Sequence, residues 1–288
     1  MVHLTISHTT RYRYRRKVLL NPHRLMLRPR ESRLLQVTAF DLRLDPPGQV
    51  DWAQDVSGNA VATVSFAEAA LELRIESHAE LLHSEQTWPV FPIAASAISY
   101  PFALSDDDQV DLGALLKPHY PDPDGRLSVW AHGFVAPGAT DTLAMLKDLN
   151  AGTSASVTYE VREEYGTQAP LETLQRRRGS CRDLATLLAE AARHLGFGAR
   201  LVSGYLWDPT QDGIGSAGSG STHAWVEIYV PGAGWIAFDP TNRAVGAGHL
   251  VPVAAARAME QIAPVTGGYQ GAAEDALDMD VTVRVVTG

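Results

Sequence analysis

The sequence predicts an α+β protein. A β-rich N-terminal domain at residues 1–85 precedes a core, residues 129–288, that combines a cysteine-bearing helix with an antiparallel hairpin. Three observations predict this. Polar and apolar residues alternate in short stretches through the first 85 positions. Helical spacing of leucines begins at Leu143. A hairpin pattern with one apolar side closes the core near residue 239. At 288 residues, with 45% hydrophobic and 20% charged residues, the chain is long enough for one large domain or two modest ones.

The front strands are read at His3–Tyr14, Leu34–Leu44, Ala60–Phe66 and Ala70–Leu82. Asn21-Pro22, Asp45-Pro46-Pro47-Gly48 and Ser57-Gly58-Asn59 supply the turns between them. Residues 86–128 are rich in Pro and Asp and read as a connection with little regular structure. Leu143, Leu146 and Leu149 then predict a helix stopped by Asn150 and Gly152. Pro170 suits the first turn of a short helix ending at Arg176-Arg177-Arg178, where cations complement the dipole, with Gly179 as terminator. Ser180 caps the next helix, and Asp183 is its capping-box partner. Leu184, Leu187, Leu188, Ala191 and Leu195 give that helix one apolar side, and Gly196 ends it. Strands follow at Ala199–Leu206, Ala224–Val230 and Trp235–Asp239. Asp208–Ser221, mostly Gly, Ser, Ala and Asp, reads as a mobile loop that could serve as a lid. Asp280–Val286 alternates like a strand, with no indication of which sheet receives it.

Composition excludes several functions. A net charge of −9 argues against a nucleic-acid or anionic-membrane binder. The first 33 residues are basic, with nine Lys/Arg against Glu31, yet Arg11, Arg13 and Arg15 alternate with Tyr12 and Tyr14 as on one face of a strand. That reading, with the arginines paired to acidic residues elsewhere, is preferred to a nucleic-acid arm. No apolar stretch approaches a membrane span, and Met1–Lys17 has no export-signal pattern, so the expected location is cytoplasmic. Cys181 is the only cysteine, which removes internal disulfides and cysteine-cluster metal sites. No cofactor or metal is expected. Asp106-Asp107-Asp108 and Asp122-Pro123-Asp124-Gly125 read as solvated loops.

The solitary thiol falls in the first turn of a capped helix, where free N–H groups and the dipole favour thiolate. It is either a packing residue or a nucleophile, depending on whether the chain supplies a base. Facing Ile228 with Ile236 and Val226 with Phe238 keeps both apolar sets of the hairpin in one layer, with Pro231-Gly232-Ala233 as the turn. That register puts Asp239 diagonal to His223 on one face, close enough for an imidazole–carboxylate hydrogen bond.

Around these residues the chain resembles the transglutaminase-like superfamily of papain-type cysteine enzymes. The matching segments are Gly179-Ser180-Cys181-Arg182-Asp183-Leu184-Ala185, Val202-Ser203-Gly204-Tyr205, His223-Ala224-Trp225-Val226-Glu227 and Gly234–Asn242. The front is similar to the N-terminal domain of bacterial members at Ile6–Tyr12, Arg28-Pro29-Arg30 and Asp55-Val56-Ser57-Gly58-Asn59. The resemblance implies a transglutaminase-like, papain-like core. It implies Cys181 as nucleophile, His223 as general base then acid, and Asp239 as the residue orienting the imidazole. No side-chain oxyanion donor is matched, which leaves the backbone N–H of Cys181 in that role.

The expected activity is therefore attack on an amide through a thioester acyl-enzyme, as a protease or amidase acting on a peptide or protein. Two alternatives stand: a protein-glutamine acyltransferase, and a catalytically silent peptide-binding module. Trp225 is a candidate wall of the substrate cleft or a sheet-packing residue, and Tyr205 is a second candidate for substrate contact. The substrate and the oligomeric state are not legible.

Overall fold

The alternation of the front half resolves into two sheets. The computed structural model describes residues 1–84, 89–162, 166–207 and 222–287. Its longest element, Val2–Leu20, buries Leu4, Ile6, His8, Thr10, Tyr14, Val18 and Leu20 on one side. On the other side Arg11 pairs with Glu72 at 3.3 Å, and Arg13 with Asp278 at 2.7 Å. Ala69–His83 flanks this strand along one edge, with Leu35–Asp45 beyond it. A second sheet carries His23–Leu25, Ala60–Ser65 and Gln49–Gln54. Tyr14, Leu25, Leu27, Val64, Leu73 and Ile75 fill the space between the two.

The front domain is not complete within 1–85, nor does the core extend to the C-terminus. Val265–Thr266 pairs with His23–Leu25, and Tyr269–Gln270 and Ala276–Thr287 pair with Val2–Leu20. The C-terminal strand therefore belongs to the front sheet. Pairing between the two ends of the chain leaves no local signal.

The core sheet is antiparallel, in the order Ala244–Val245, Gly234–Asp239, His223–Val230, Ala199–Leu206, Leu250–Ala256. The hairpin register is the one expected, Val226 opposite Phe238 and Ile228 opposite Ile236. Leu250–Ala256 escaped prediction because it is buried on both faces and interrupted by Pro252; as an edge strand it tolerates the proline.

Cys181–His194 lies on this sheet and is buried nearly all round, not on one side. Its outer face is covered by helices Arg126–His132, Thr142–Ser156 and Pro170–Arg176. Burying its polar residues requires partners. Glu190 pairs with Arg193 and accepts the His119 and Tyr120 N–H groups at 2.8 and 2.9 Å, while Arg193 donates to the Ala199 and Arg257 carbonyls. Gly196, at φ +85°, ends the helix in a Schellman motif: Phe197 N–H reaches Ala192 O, and Gly196 N–H reaches Arg193 O.

Three further expectations are corrected. The helix expected to stop at Asn150 and Gly152 continues to Ser156, because both residues pack tertiary neighbours. Asn150 Nδ2 donates to Ala244 O, and the Phe134 ring occupies the space a Cβ on Gly152 would need. The helix from Pro170 ends on Arg177 in the left-handed region at φ 54°, not on Gly179. Gly179 instead admits Asp183 Cβ, 2.9 Å from where its own Cβ would sit. The described part of the 86–128 connection, residues 89–128, is more regular than expected. Asp106-Asp107-Asp108 form the first turn of helix Asp106–Leu112, capped by Ser105, and Asp122 accepts the Ser128 N–H at the start of Arg126–His132.

Asn59 fastens the front domain to the core. It is fully buried, and its amide mimics a strand partner for the outermost strand of the core sheet: Nδ2 donates to Ala255 O at 2.9 Å, and Oδ1 accepts Ala255 N–H at 2.8 Å. Asp55 and Arg30 hold that amide in place. Asn59→Ala is expected to cost about 1–3 kcal/mol, the penalty for leaving buried backbone groups unpaired. An unchanged urea midpoint would show that the contact is dispensable.

Candidate active site

Cys181 is the first residue of its helix because Ser180 and Asp183 build the turn before it. Asp183 Oδ2 accepts both the Ser180 N–H (2.8 Å) and the Ser180 hydroxyl (2.9 Å). The thiol is partly exposed, and the Cys181 N–H has no acceptor among the described residues, as expected of a first-turn donor. His223 begins the neighbouring strand. Its Nε2 lies 2.8 Å from Asp239 Oδ2, which leaves Nδ1 unengaged by the carboxylate, and His223 lines the same cleft as Cys181. Asp239 is held in turn by Asn242, whose Nδ2 donates at 2.8 Å, and by the Thr241 N–H at 3.0 Å.

Both His223 and Asp239 are buried. Burial alone would lower the pKa of His223, but the Asp239 carboxylate and the contact with Cys181 outweigh it and raise the pKa to about 10. Burial would likewise raise Asp239, but His223 and the Asn242 hydrogen bonds hold it below the ordinary carboxylate range. The pair is thus imidazolium and carboxylate, and the cation faces the thiol. Such an arrangement keeps a proton ready for a leaving group.

The three residues sit at a cleft of about 670 Å³ that Cys181 and His223 line directly. Tyr159 and Arg162 also line it, as do Met259, Glu260, Ile262, Ala263 and Pro264, and Met279, Asp280 and Val281 of the C-terminal strand. The Tyr159 hydroxyl has its pKa raised by burial and by the nearby Cys181 and Asp239. Asp208–Ser221, expected as a lid, lies outside the described residues.

Residues 130–240 match the model of the transglutaminase-like superfamily, and residues 4–81 match that of the bacterial transglutaminase-like N-terminal region. The chain thus carries a transglutaminase-like core behind a bacterial transglutaminase-like N-terminal region. A candidate cysteine protease from Cytophaga hutchinsonii has a similar fold, with a TM-score of 0.75 at 17% identity over 100% of this chain and 98% of that one. An uncharacterised Mycobacterium tuberculosis protein is 26% identical over 98% of this chain and 91% of its own length. A Mycobacterium leprae protein is 34% identical over a shorter match, 40% of each chain.

Within this transglutaminase-like core, His223 and Asp239 meet as the hairpin register required and Cys181 lines the same cleft as His223, whereas Trp225 and Tyr205 do not reach the cleft. Trp225 is 1% exposed and packs with Val202, Ala237, Leu250 and Ala255. Its ring lies nearly parallel to the His223 imidazole, 6.1 Å between centroids, so it backs the histidine from inside the sheet. Tyr205 is 2% exposed, and its hydroxyl meets His8 Nδ1 at 3.0 Å, bolting the front domain to the core. Alternation misled here because both faces of this sheet are covered by apolar clusters. Gly204 between them has its own reason: a Cβ would strike Val251 O and come within 2.7 Å of the Trp225 ring. Gly204→Ala is expected to displace Trp225 and, through it, His223, destabilising the fold by about 1–3 kcal/mol as overpacking does. Wild-type stability and activity in that variant would refute the support role.

Sequence reasoning missed Asn242, Arg162, Tyr159 and the C-terminal wall. Only Asn242 carried a signal, in the Asp239-Pro240-Thr241-Asn242 turn.

Proposed function

We propose that this protein cleaves or transfers amide bonds through a thioester on Cys181, and that its usual outcome is hydrolysis of a peptide or protein substrate. The observation that supports the reading is a helix-terminal thiol lining the same cleft as a buried imidazolium that is itself anchored by Asp239. The Cys181 sulfur attacks the carbonyl carbon, and the oxyanion that develops is met by the Cys181 N–H at the positive end of the helix. His223 gives its Nδ1 proton to the departing nitrogen as the C–N bond breaks, leaving the thioester and a neutral imidazole. Water then attacks the thioester with His223 taking one proton, which returns the thiolate–imidazolium pair and yields a carboxylic acid that releases its remaining proton to solvent. Asp239 holds the ring in the one orientation that serves both steps. With a single cysteine and no disulfide to maintain, the chain suits the reducing cytoplasm.

An amine in place of water would make the same intermediate an acyltransferase. Treatment with peptidyl vinyl sulfones, followed by ammonia-release and amine-incorporation assays on glutamine peptides, tests the proposal. Labelling confined to Cys181, faster than a free thiol and abolished in Cys181→Ala, is expected. Labelling no faster than a free thiol would favour a silent peptide-binding module, and amine incorporation exceeding hydrolysis would favour transfer.

A further inference from the structure

Three consecutive residues of the C-terminal strand Ala276–Thr287, namely Met279, Asp280 and Val281, line the cleft that holds Cys181. Successive side chains of a strand point to opposite faces of its sheet. A cavity lying on one face would touch Met279 and Val281 and miss Asp280. Contact with all three places the cavity along the edge of the strand.

That edge is open. Ala276–Thr287 pairs with Val2–Leu20 on one side, from Tyr14 opposite Ala276 to Leu4 opposite Thr287. On its other side, among the described residues, no strand pairs with it and no backbone hydrogen bond reaches it. Exposed edges are ordinarily shortened, bulged or covered, because their free N–H and C=O groups template another strand. This one is twelve residues long and leaves Leu277 and Met279 about half exposed, at 49% and 55%.

We infer that the open edge of Ala276–Thr287 binds the substrate as an added β-strand, so that an extended peptide segment pairs with the backbone around Met279–Val281 and presents its amide to Cys181. Main-chain pairing supplies affinity for any extended segment. The apolar lining from Met259, Ile262, Pro264, Met279 and Val281 favours apolar side chains at alternate substrate positions. The inference rests on the proposed amide chemistry at Cys181. It also gives the front domain, which donates the sheet behind this strand, a direct part in substrate binding.

The test uses tetrapeptidyl vinyl sulfones of Ala, Val and Leu, N-methylated at one amide at a time. Losing one buried pairing bond slows Cys181 labelling by about tenfold, and the loss is expected at alternate amides only. Hydrogen exchange across 276–287 is expected to slow in the labelled protein. Labelling of Cys181 that ignores N-methylation, with unaltered exchange, overturns the edge while leaving the nucleophile intact. If no probe labels Cys181, the chemistry fails separately. The edge is then decided by exchange in the Cys181→Ala protein with the same tetrapeptides as plain amides: protection of 276–287 supports it, and none overturns it. Protection without peptide, accompanied by a doubled solution mass, would assign the edge to a second copy of the chain and overturn the inference too.

Discussion

His223→Ala is expected to lower turnover by about 10²–10⁴-fold, the range a positioned acid–base group contributes. The residue has two tasks in the proposed cycle, stabilising the thiolate and protonating the leaving nitrogen, and no second histidine lines the cleft among the described residues. The wild-type pH profile should follow from the same group. Its pKa near 10 predicts activity sustained through neutrality and falling as pH rises through that value, where the imidazolium loses its proton. Asp239→Asn removes the carboxylate while the burial remains, so the alkaline limb should move down toward neutral pH. The stability linkage has the same sign. A histidine raised from 6.5 contributes stability that is fully present below that value and is lost as pH approaches 10. The profile is measured as kcat/KM against pH for wild type and Asp239→Asn. Superimposable alkaline limbs would remove Asp239 from the mechanism.

Asp183→Ala carries the largest expected loss of stability, about 3–5 kcal/mol, the cost of breaking a buried ion pair by removing one partner. Asp183 is fully buried and accepts from Arg162 (3.0 and 3.1 Å), the Gln168 N–H (2.7 Å), and both the N–H and hydroxyl of Ser180. Its removal takes the buried carboxylate from Arg162 and leaves the Gln168 and Ser180 N–H groups without their acceptor beneath the turn that presents Cys181. Burial alone would raise this carboxyl, but Arg162 and the backbone donors hold it below the usual range. Its contribution is therefore present above the unfolded value of about 3.9 and lost as pH falls through the lowered folded value. Urea unfolding at pH 7 and at successively lower pH reads both effects. A loss below about 1 kcal/mol at pH 7 would show that the site relaxes around the vacancy.

Much of the core could be read from sequence because its signals are local. Ser180, Asp183 and Gly196 bracket the cysteine helix by capping chemistry that operates within a turn. The hairpin register followed from keeping Val226, Ile228, Ile236 and Phe238 in one layer, since a slip of one residue would turn all four to the opposite face. Asn150, Gly152 and Gly179 were misread for the complementary reason. Each has a local meaning as a helix stop, yet each is chosen for a packing neighbour outside the helix it was read to end, whether Ala244, Phe134 or the first turn of the next helix.

By itself, then, the sequence determined the helix that starts at Cys181, the strands that follow, and the approach of His223 to Asp239, all consequences of capping and of side-chain period. Only the tertiary structure decided what surrounds them. It buried Trp225 behind the imidazole and spent Tyr205 on the domain contact. It also returned the C-terminal strand to Val2–Leu20 and set its open edge beside the thiol. Those outcomes depend on pairings between residues as much as 283 positions apart, Leu4 with Thr287. No period or motif within one segment reports where such a partner lies.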